Sequence, residues 1–289
     1  DVFIAKFNRF GALQWLRRGG AGGTTTNDSG NDIAVDGSGN VYSDSGKDIG
    51  VDGSGNVYVT GNINGTANFN TPTSMGSNEL VSASGSDVFV AKYNTSGVVQ
   101  WLRRAGGIVS ESAGGIAVDG SGNVHITGSF EGTINFNTPS STGTNELVSI
   151  GGPDVFIAKY NTSGTVQWLR RGGSVAALGN TDSGRGIAVD GSGNVYVTGT
   201  FRNTANFNTP SSVGSNELES AGLEDIFIAQ YSNSGTLQWL QRAGGGQSEG
   251  ASGIALGANG GANSMLYVVG TYQSITQLGV TELHNPSRT

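Results

Sequence analysis

The chain has no cysteine among its 289 residues, so neither disulfides nor thiolate metal sites enter its chemistry. Histidine is nearly as scarce: only His125 and His284 are present, which leaves little for base catalysis near neutral pH. Charged residues make up just 13%, and no stretch has the composition or the 3.6-residue period of a long helix. No run of about 18 apolar residues occurs, so nothing reads as a membrane span. Basic residues are outnumbered, giving a formal charge of -7. That balance disfavours nucleic acid and anionic membrane surfaces as partners, since both select basic patches. The chain opens at Asp1 with neither an initiator methionine nor a leader, and so reads as a processed product or a segment of one.

What is abundant is glycine, 50 residues of it, and repetition. DVFIAKFN at Asp1 returns at Asp87, Asp154 and Asp225 with small changes, and QWLRR at Gln14 returns at Gln100, Gln167 and, as QWLQR, at Gln238. Trp15, Trp101, Trp168 and Trp239 are 86, 67 and 71 residues apart. The unit is therefore about 70 residues long, and each copy must bury its apolar faces against its neighbours.

Within a unit four strands are legible. In DVFIAKY from Asp154, Val155 and Ile157 point one way while Phe156, Ala158 and Tyr160 point the other. Both faces are mostly apolar, which predicts a strand sandwiched between neighbouring sheets. The same holds for GIAVD and NVYVTG, joined by the tight turn Asp190-Gly191-Ser192-Gly193-Asn194. VQWLRR follows DVFIAKY through a second turn at Asn161 to Gly164. The predicted fold is all-β: a β-propeller of about four blades, each of four antiparallel strands.

The chain begins with the third and fourth strands of a unit, residues 1–18, and finishes with the first and second plus a degenerate loop, residues 253–289. Full blades are expected over 47–104, 115–171 and 186–242. The terminal half-blades are expected to zip together, closing a ring or pairing between subunits. DSGNDIAVDGSGNVY from Asp28 is echoed by DSGKDIGVDGSGNVY from Asp44; this extra hairpin, 28–43, has no place in the plan.

These motifs resemble the SBBP family of bacterial β-propeller repeats, whose pattern is GIAVDGSGNVYVTG, a long loop, DVFVAKYN and a Trp-containing fourth strand. The F-N-T-P loops at Phe69, Phe136 and Phe207 are similar to the F-D-P-G loop of many such repeats. Asn70, Asn137 and Asn208 stand where Asp is frequent, which weakens a cation-binding role there. The resemblance implies a secreted or surface-attached bacterial protein, and fixes location and fold better than activity.

Each candidate site has a plainer competitor. The DGSGN loops at Asp36, Asp52, Asp119 and Asp190 cluster oxygen atoms as calcium loops do, but each supplies one carboxylate where calcium takes six or seven oxygens. A structural turn is the better reading, and no cofactor is expected beyond that calcium option. The arginine pairs at Arg17, Arg103 and Arg170 point to opposite faces of their strand and suit salt bridges to Asp87 or Asp154 better than a polysaccharide clamp. Trp101, Trp168 and Trp239 suit either sugar stacking or inter-blade packing. The long loops bearing Asn78-Glu79, Asn145-Glu146 and Asn216-Glu217 are polar and nearly identical, as binding loops are and as recent duplicates also are. The sequons at Asn27, Asn64, Asn94 and Asn161 match by chance in so Asn/Ser/Thr-rich a chain.

Nothing breaks the repeat symmetry as a single active site would, and His125 fills the slot of Tyr58 and Tyr196, so no enzyme is expected. The expectation is a secreted or cell-surface structural and adhesive protein whose partner is itself, or a surface glycan or protein. The alternative is a multivalent lectin.

Overall fold

The structure, a computed structural model, describes residues 2–19, 32–35, 41–44, 46–69, 78–136, 145–175, 181–207, 216–257, 265–273, 276–278 and 281–283. Every regular element among them is a β-strand. The chain divides into two compact units: 1–126, 133–146 and 159–167 form one, and 127–132, 147–158 and 168–289 the other.

Hairpins built from the repeated motifs assemble into sheets in the order the sequence anticipates. In the second sheet Asp48–Val51, Val57–Asn68, Glu79–Tyr93 and Val99–Ala105 lie side by side in chain order. The third orders Ser112–Val118, Val124–Phe130, Asp154–Tyr160 and Val166–Ser174 in the same way. The fourth does so with Ser183–Val189, Val195–Phe201, Asp225–Tyr231 and Leu237–Gly245. Both faces of the middle strands are covered: Val195, Val197, Phe227, Ala229 and Tyr231, paired across them, are fully buried on one face, and Thr198 and Ile226 are buried on the other. In the first unit Ile4 and Trp15 of the first sheet share a core with Val57, Val59, Phe89 and Tyr93 of the second.

The first sheet corrects the expected closure. Val2–Phe7 pairs on one side with Leu13–Gly19 and on the other with Val41–Asp44, which in turn pairs with Asp32–Val35. The hairpin that seemed to have no place is the missing half of this sheet, entered in permuted order. Residues 2–18 therefore do not share a sheet with 253–272. The physical reason is local supply. A hairpin of the same sequence type lies about 20 residues away, and closing so short a loop costs less than recruiting a partner some 250 residues distant. Gly250–Leu256 and Leu266–Thr271 instead form a two-stranded sheet of their own, packed where Gly186 meets Gly253 and Ile254.

The long connections, expected as loops, end in small hairpins. Thr204–Asn206 and Glu217–Glu219 pair with each other and extend the third sheet at Gly173 and Ser174. Thr276–Leu278 and Thr281–Leu283 do the same for the fourth sheet at Ala243 to Gly245. Asn135, in the hairpin of Thr133–Asn135 and Glu146–Val148, bridges to Gly106. Three of the connections are pinned by a buried phenylalanine, Phe69, Phe136 or Phe207: Phe69 lies 5.0 Å from Phe89, and Phe207 4.7 Å from Phe227.

Candidate functional site

The three described DGSGN turns, at Asp52, Asp119 and Asp190, use their own carboxylates. Asp52 Oδ1 accepts from the amides of Ser54 and Asn56, both at 2.9 Å. Its Oδ2 accepts from Asn56 Nδ2 at 2.8 Å and from the Tyr58 hydroxyl at 3.0 Å. Asp190 repeats the set, with Tyr196 at 3.2 Å, and Asp119 repeats the Asn and amide bonds with Asn123 and Ser121. Burial opposes ionisation at all three, yet these donors, led at Asp119 by His125, hold each carboxyl below its usual range. Among the described residues no three His, Cys, Asp or Glu side chains gather as a metal site. Asp36 lies outside the described residues, as do Asn70, Asn137, Asn208 and His284.

His125 takes the tyrosine's place beside such a turn, its Nε2 3.5 Å from Asp119 Oδ2, with Lys159 Nζ 3.8 Å from the same oxygen. Burial pushes its pKa down against the pull of Asp119, so at neutral pH it is an uncharged, fully enclosed ring. That position suits packing and not proton transfer to a substrate.

The Trp-x-Arg motif is a clasp on a neighbouring sheet. Strand alternation puts both side chains on one face, where they reach the turn between the third and fourth strands of the next repeat. Trp15 Nε1 donates to the Thr95 carbonyl at 3.1 Å, and Arg17 to the Gly97 and Ser96 carbonyls at 2.6 and 2.9 Å. Trp101 and Arg103 hold Thr162, Gly164 and Ser163 in the same way, and Trp168 and Arg170 hold Asn233, Gly235 and Ser234. The turn glycine is doubly required: Gly164 has φ +74°, and a Cβ there would lie 2.9 Å from the Trp101 ring. Trp15 and Trp101 are each 9% exposed and present no open face to a sugar, while Trp168 and Trp239 are half-buried. Trp239 rests 6.2 Å from Tyr196, and Gln241 replaces the arginine.

Arg104, Arg171 and Arg242, each one residue past the clasp position, turn inward, as their opposite orientation on the strand requires. Arg104 pairs with Asp87 at 2.5 Å, Arg242 with Asp225 at 2.8 Å, and Arg171 Nε lies 3.5 Å from Asp154. Beside them sit buried carboxyls that sequence reasoning missed: Glu111, Asp182 and Glu249. Burial, reinforced by Asp87, pushes Glu111 up to about 8, and burial raises Asp154 to about 7. A signal was available, because each of the three stands five positions before the Ile of its GIA strand.

The long-loop glutamates have a local task. Asn68 Nδ2 donates to Glu79 Oε1 at 2.9 Å, Asn135 to Glu146 at 2.7 Å and Asn206 to Glu217 at 3.1 Å, each across its hairpin. Asn78, Asn145 and Asn216 each accept a backbone bond from the pinned phenylalanine, Phe69, Phe136 or Phe207. At the first of these hairpins the structure also opens a groove of about 650 Å³ that brings Asn78, Glu79 and Trp101 together with Lys92, Gln100 and Arg103. Lys92 Nζ reaches the Thr162 carbonyl at 3.4 Å and lies 5.1 Å above the Tyr58 ring, and the exposed Glu79 forms the groove's acidic edge.

Paired hairpins, a recurrent clasp and in-order four-stranded sheets are what a propeller repeat needs, and the match is direct. Residues 42–70 and 167–200 match the model of the SBBP beta-propeller repeat. The chain is also similar to an uncharacterized WD repeat-containing protein of Acanthamoeba polyphaga mimivirus, 26% identical over 88% of this chain and 20% of that protein. It is 32% identical to regulatory protein FlaEY of Caulobacter vibrioides, over 43% of this chain and 12% of that protein. The chain thus spans a fifth or less of the length of these relatives.

Proposed function

We propose that this SBBP-repeat chain is a non-catalytic propeller module of about four blades that works outside a bacterial cell, as a structural or adhesive protein offering its groove and hairpins to a partner protein or surface. The observation that carries this reading is that, among the described residues, the aspartates, arginines and histidine singled out from the sequence are used internally. The aspartates bind their own turns, the arginines bind backbone carbonyls or buried aspartates, and His125 is enclosed. What stays outward is the polar groove at Glu79, Lys92 and Gln100. Beads coated with the chain should adhere to bacterial or matrix surfaces, and Lys92→Ala with Glu79→Gln should reduce retention several-fold. Equal retention by beads carrying the double variant would sink the groove as the contact. Steady turnover of any ester, glycoside, peptide or phosphate in a substrate panel would remove the non-catalytic part.

A second reading, a multivalent lectin, has one specific support: the groove collects an acid, a cation and an amide within reach of one ligand, the donor and acceptor mix that sugar hydroxyls use. Weak equivalent sites at Asn145-Glu146 and Asn216-Glu217 would add avidity. A glycan array separates the two: specific hits lost on Glu79→Gln favour the lectin, and a blank array favours protein adhesion.

A further inference from the structure

Leu266–Thr271 has one strand too few beside it. Its counterpart Val195–Phe201 pairs on both edges, with Ser183–Val189 and with Asp225–Tyr231, whereas Leu266–Thr271 pairs with Gly250–Leu256 alone among the described residues. Alternate side chains along it stand in solvent: Met265 is 69% exposed, Tyr267 59% and Val269 63%. The counterparts Tyr58 and Thr60 in the second sheet are fully buried.

Val2–Gly19 is a strand pair of the type such an edge accepts, and its present partner is short. Val2–Phe7 meets Val41–Asp44 over the four positions Ile4 to Phe7, while the matching ladder of the fourth sheet runs over seven, Val195 to Phe201. In the register of that ladder, Lys6 would face Tyr267, just as Lys92 faces Tyr58 and Gln230 faces Tyr196. Those two internal pairs make contact, Lys92 over the Tyr58 ring at 5.1 Å and Gln230 Nε2 donating to the Tyr196 hydroxyl at 2.7 Å.

The clasp residues change together at these two places. Three clasps set Arg17, Arg103 or Arg170 near Tyr93, Tyr160 or Tyr231 and onto turns carrying Thr95, Thr162 or Asn233. The fourth donor has Gln241 in place of arginine. The corresponding turn Asn8 to Gly11, to which no clasp reaches among the described residues, has Phe7 in place of tyrosine and Arg9 in place of the neutral residue. An arginine at 241 would set a second guanidinium against Arg9, and glutamine does not. Phe10, 80% exposed with Arg9 stacked on it at 4.8 Å, supplies the aromatic and Arg content of an interface anchor.

We propose that the Val2–Gly19 strand pair of one copy leaves its own hairpin and pairs with the open edge of Leu266–Thr271 in a second copy, with Trp239 closing on the Asn8–Gly11 turn. The occupant is a second copy of this chain, joined head to tail by strand exchange. The inference stands on strand register and clasp residues, so a failed adhesion assay leaves it intact.

Because the chain lacks cysteine, engineered thiols report cleanly. Lys6→Cys alone and Tyr267→Cys alone are purified, mixed and mildly oxidised. Covalent dimers of the two variants should form at least ~10-fold faster than in a control mixture of Lys6→Cys with Gln100→Cys. Adding Gln241→Arg to the Tyr267→Cys chain should slow the reaction, and Arg9→Thr in its partner should restore it; both changed positions are exposed, so folding is retained. The unmodified chain should gain weight-average mass between about 1 and about 200 µM. Cross-linking no faster than the control, cross-links confined within single chains when both thiols share one chain, or a one-chain mass at every concentration would overturn the proposal.

Discussion

Two hairpins of the second unit, Ser183–Val189 with Val195–Phe201 and Gly250–Leu256 with Leu266–Thr271, share one design. Both pair antiparallel, and both carry a register slip at the same place, Gly184 to Gly186 and Ala251 to Gly253. Yet Thr198 is fully buried while Val269, in the same slot, is 63% exposed. The less polar side chain is the one in water. Burial in this protein is therefore conferred by the neighbouring strand and sheet, and the strand's own sequence only makes it eligible.

The sharpest way to press that comparison is through the clasps. Trp101→Ala removes a ring that is 9% exposed together with its bond to Thr162, and should cost about 3–5 kcal/mol in a denaturant melt. Trp239→Ala, at a half-buried ring that clasps no turn among the described residues, should cost less than half of that in the dilute monomer. Equal losses would show that the clasp contributes nothing beyond packing within its own sheet.

The turn glycines come next. Gly164→Ala combines a left-handed φ with a Cβ 2.9 Å from Trp101, and should destabilise by about 2–4 kcal/mol. Gly11→Ala has the same backbone, φ +79°, with nothing within 4 Å, and should lose only about 1 kcal/mol. A smaller contrast lies in the strands: Val197→Ala, fully buried, should cost about 2 kcal/mol and Val269→Ala about 0.5 kcal/mol or less. Hydrogen exchange should rank them alike, fastest along Leu266–Thr271.

The smallest effect is on pH. Asp154 and Glu111 bind protons more tightly folded than unfolded, so their contribution is full below about pH 4 and is lost as pH rises through about 7 and about 8. Asp52, Asp119 and Asp190 act in the other sense, stabilising above about pH 4 and less so as pH falls below it. The melting midpoint should therefore be highest near pH 5 and decline toward pH 9, and Glu111→Gln should flatten the upper part of that decline. A midpoint that rises from pH 5 to pH 9 would refute the assignment.

Much of this was legible in the residues. The period of the tryptophans and the two-sided apolar strands gave the four-stranded antiparallel sheets and their order, because side-chain alternation depends only on local backbone geometry. The inward salt bridges of Arg104 and Arg171 followed from the same alternation. The groove that brings Glu79 and Trp101 to Lys92 and Gln100 was only half readable: the loop and the tryptophan stood out, while Lys92 and Gln100 looked like ordinary strand residues. Strand alternation could not find the carboxyls Glu111 and Asp182, which sit in irregular segments; only their fixed place five positions before the Ile of a GIA strand marked them.

Local chemistry set the strands, the turns and the faces of this protein, since those depend on residues a few positions apart. Which hairpin completes the sheet of Val2–Phe7 was left to the tertiary structure. Two hairpins of nearly equal sequence compete for that edge, and only the entropy of closing the intervening chain, with the neighbouring sheets that each choice buries, distinguishes them.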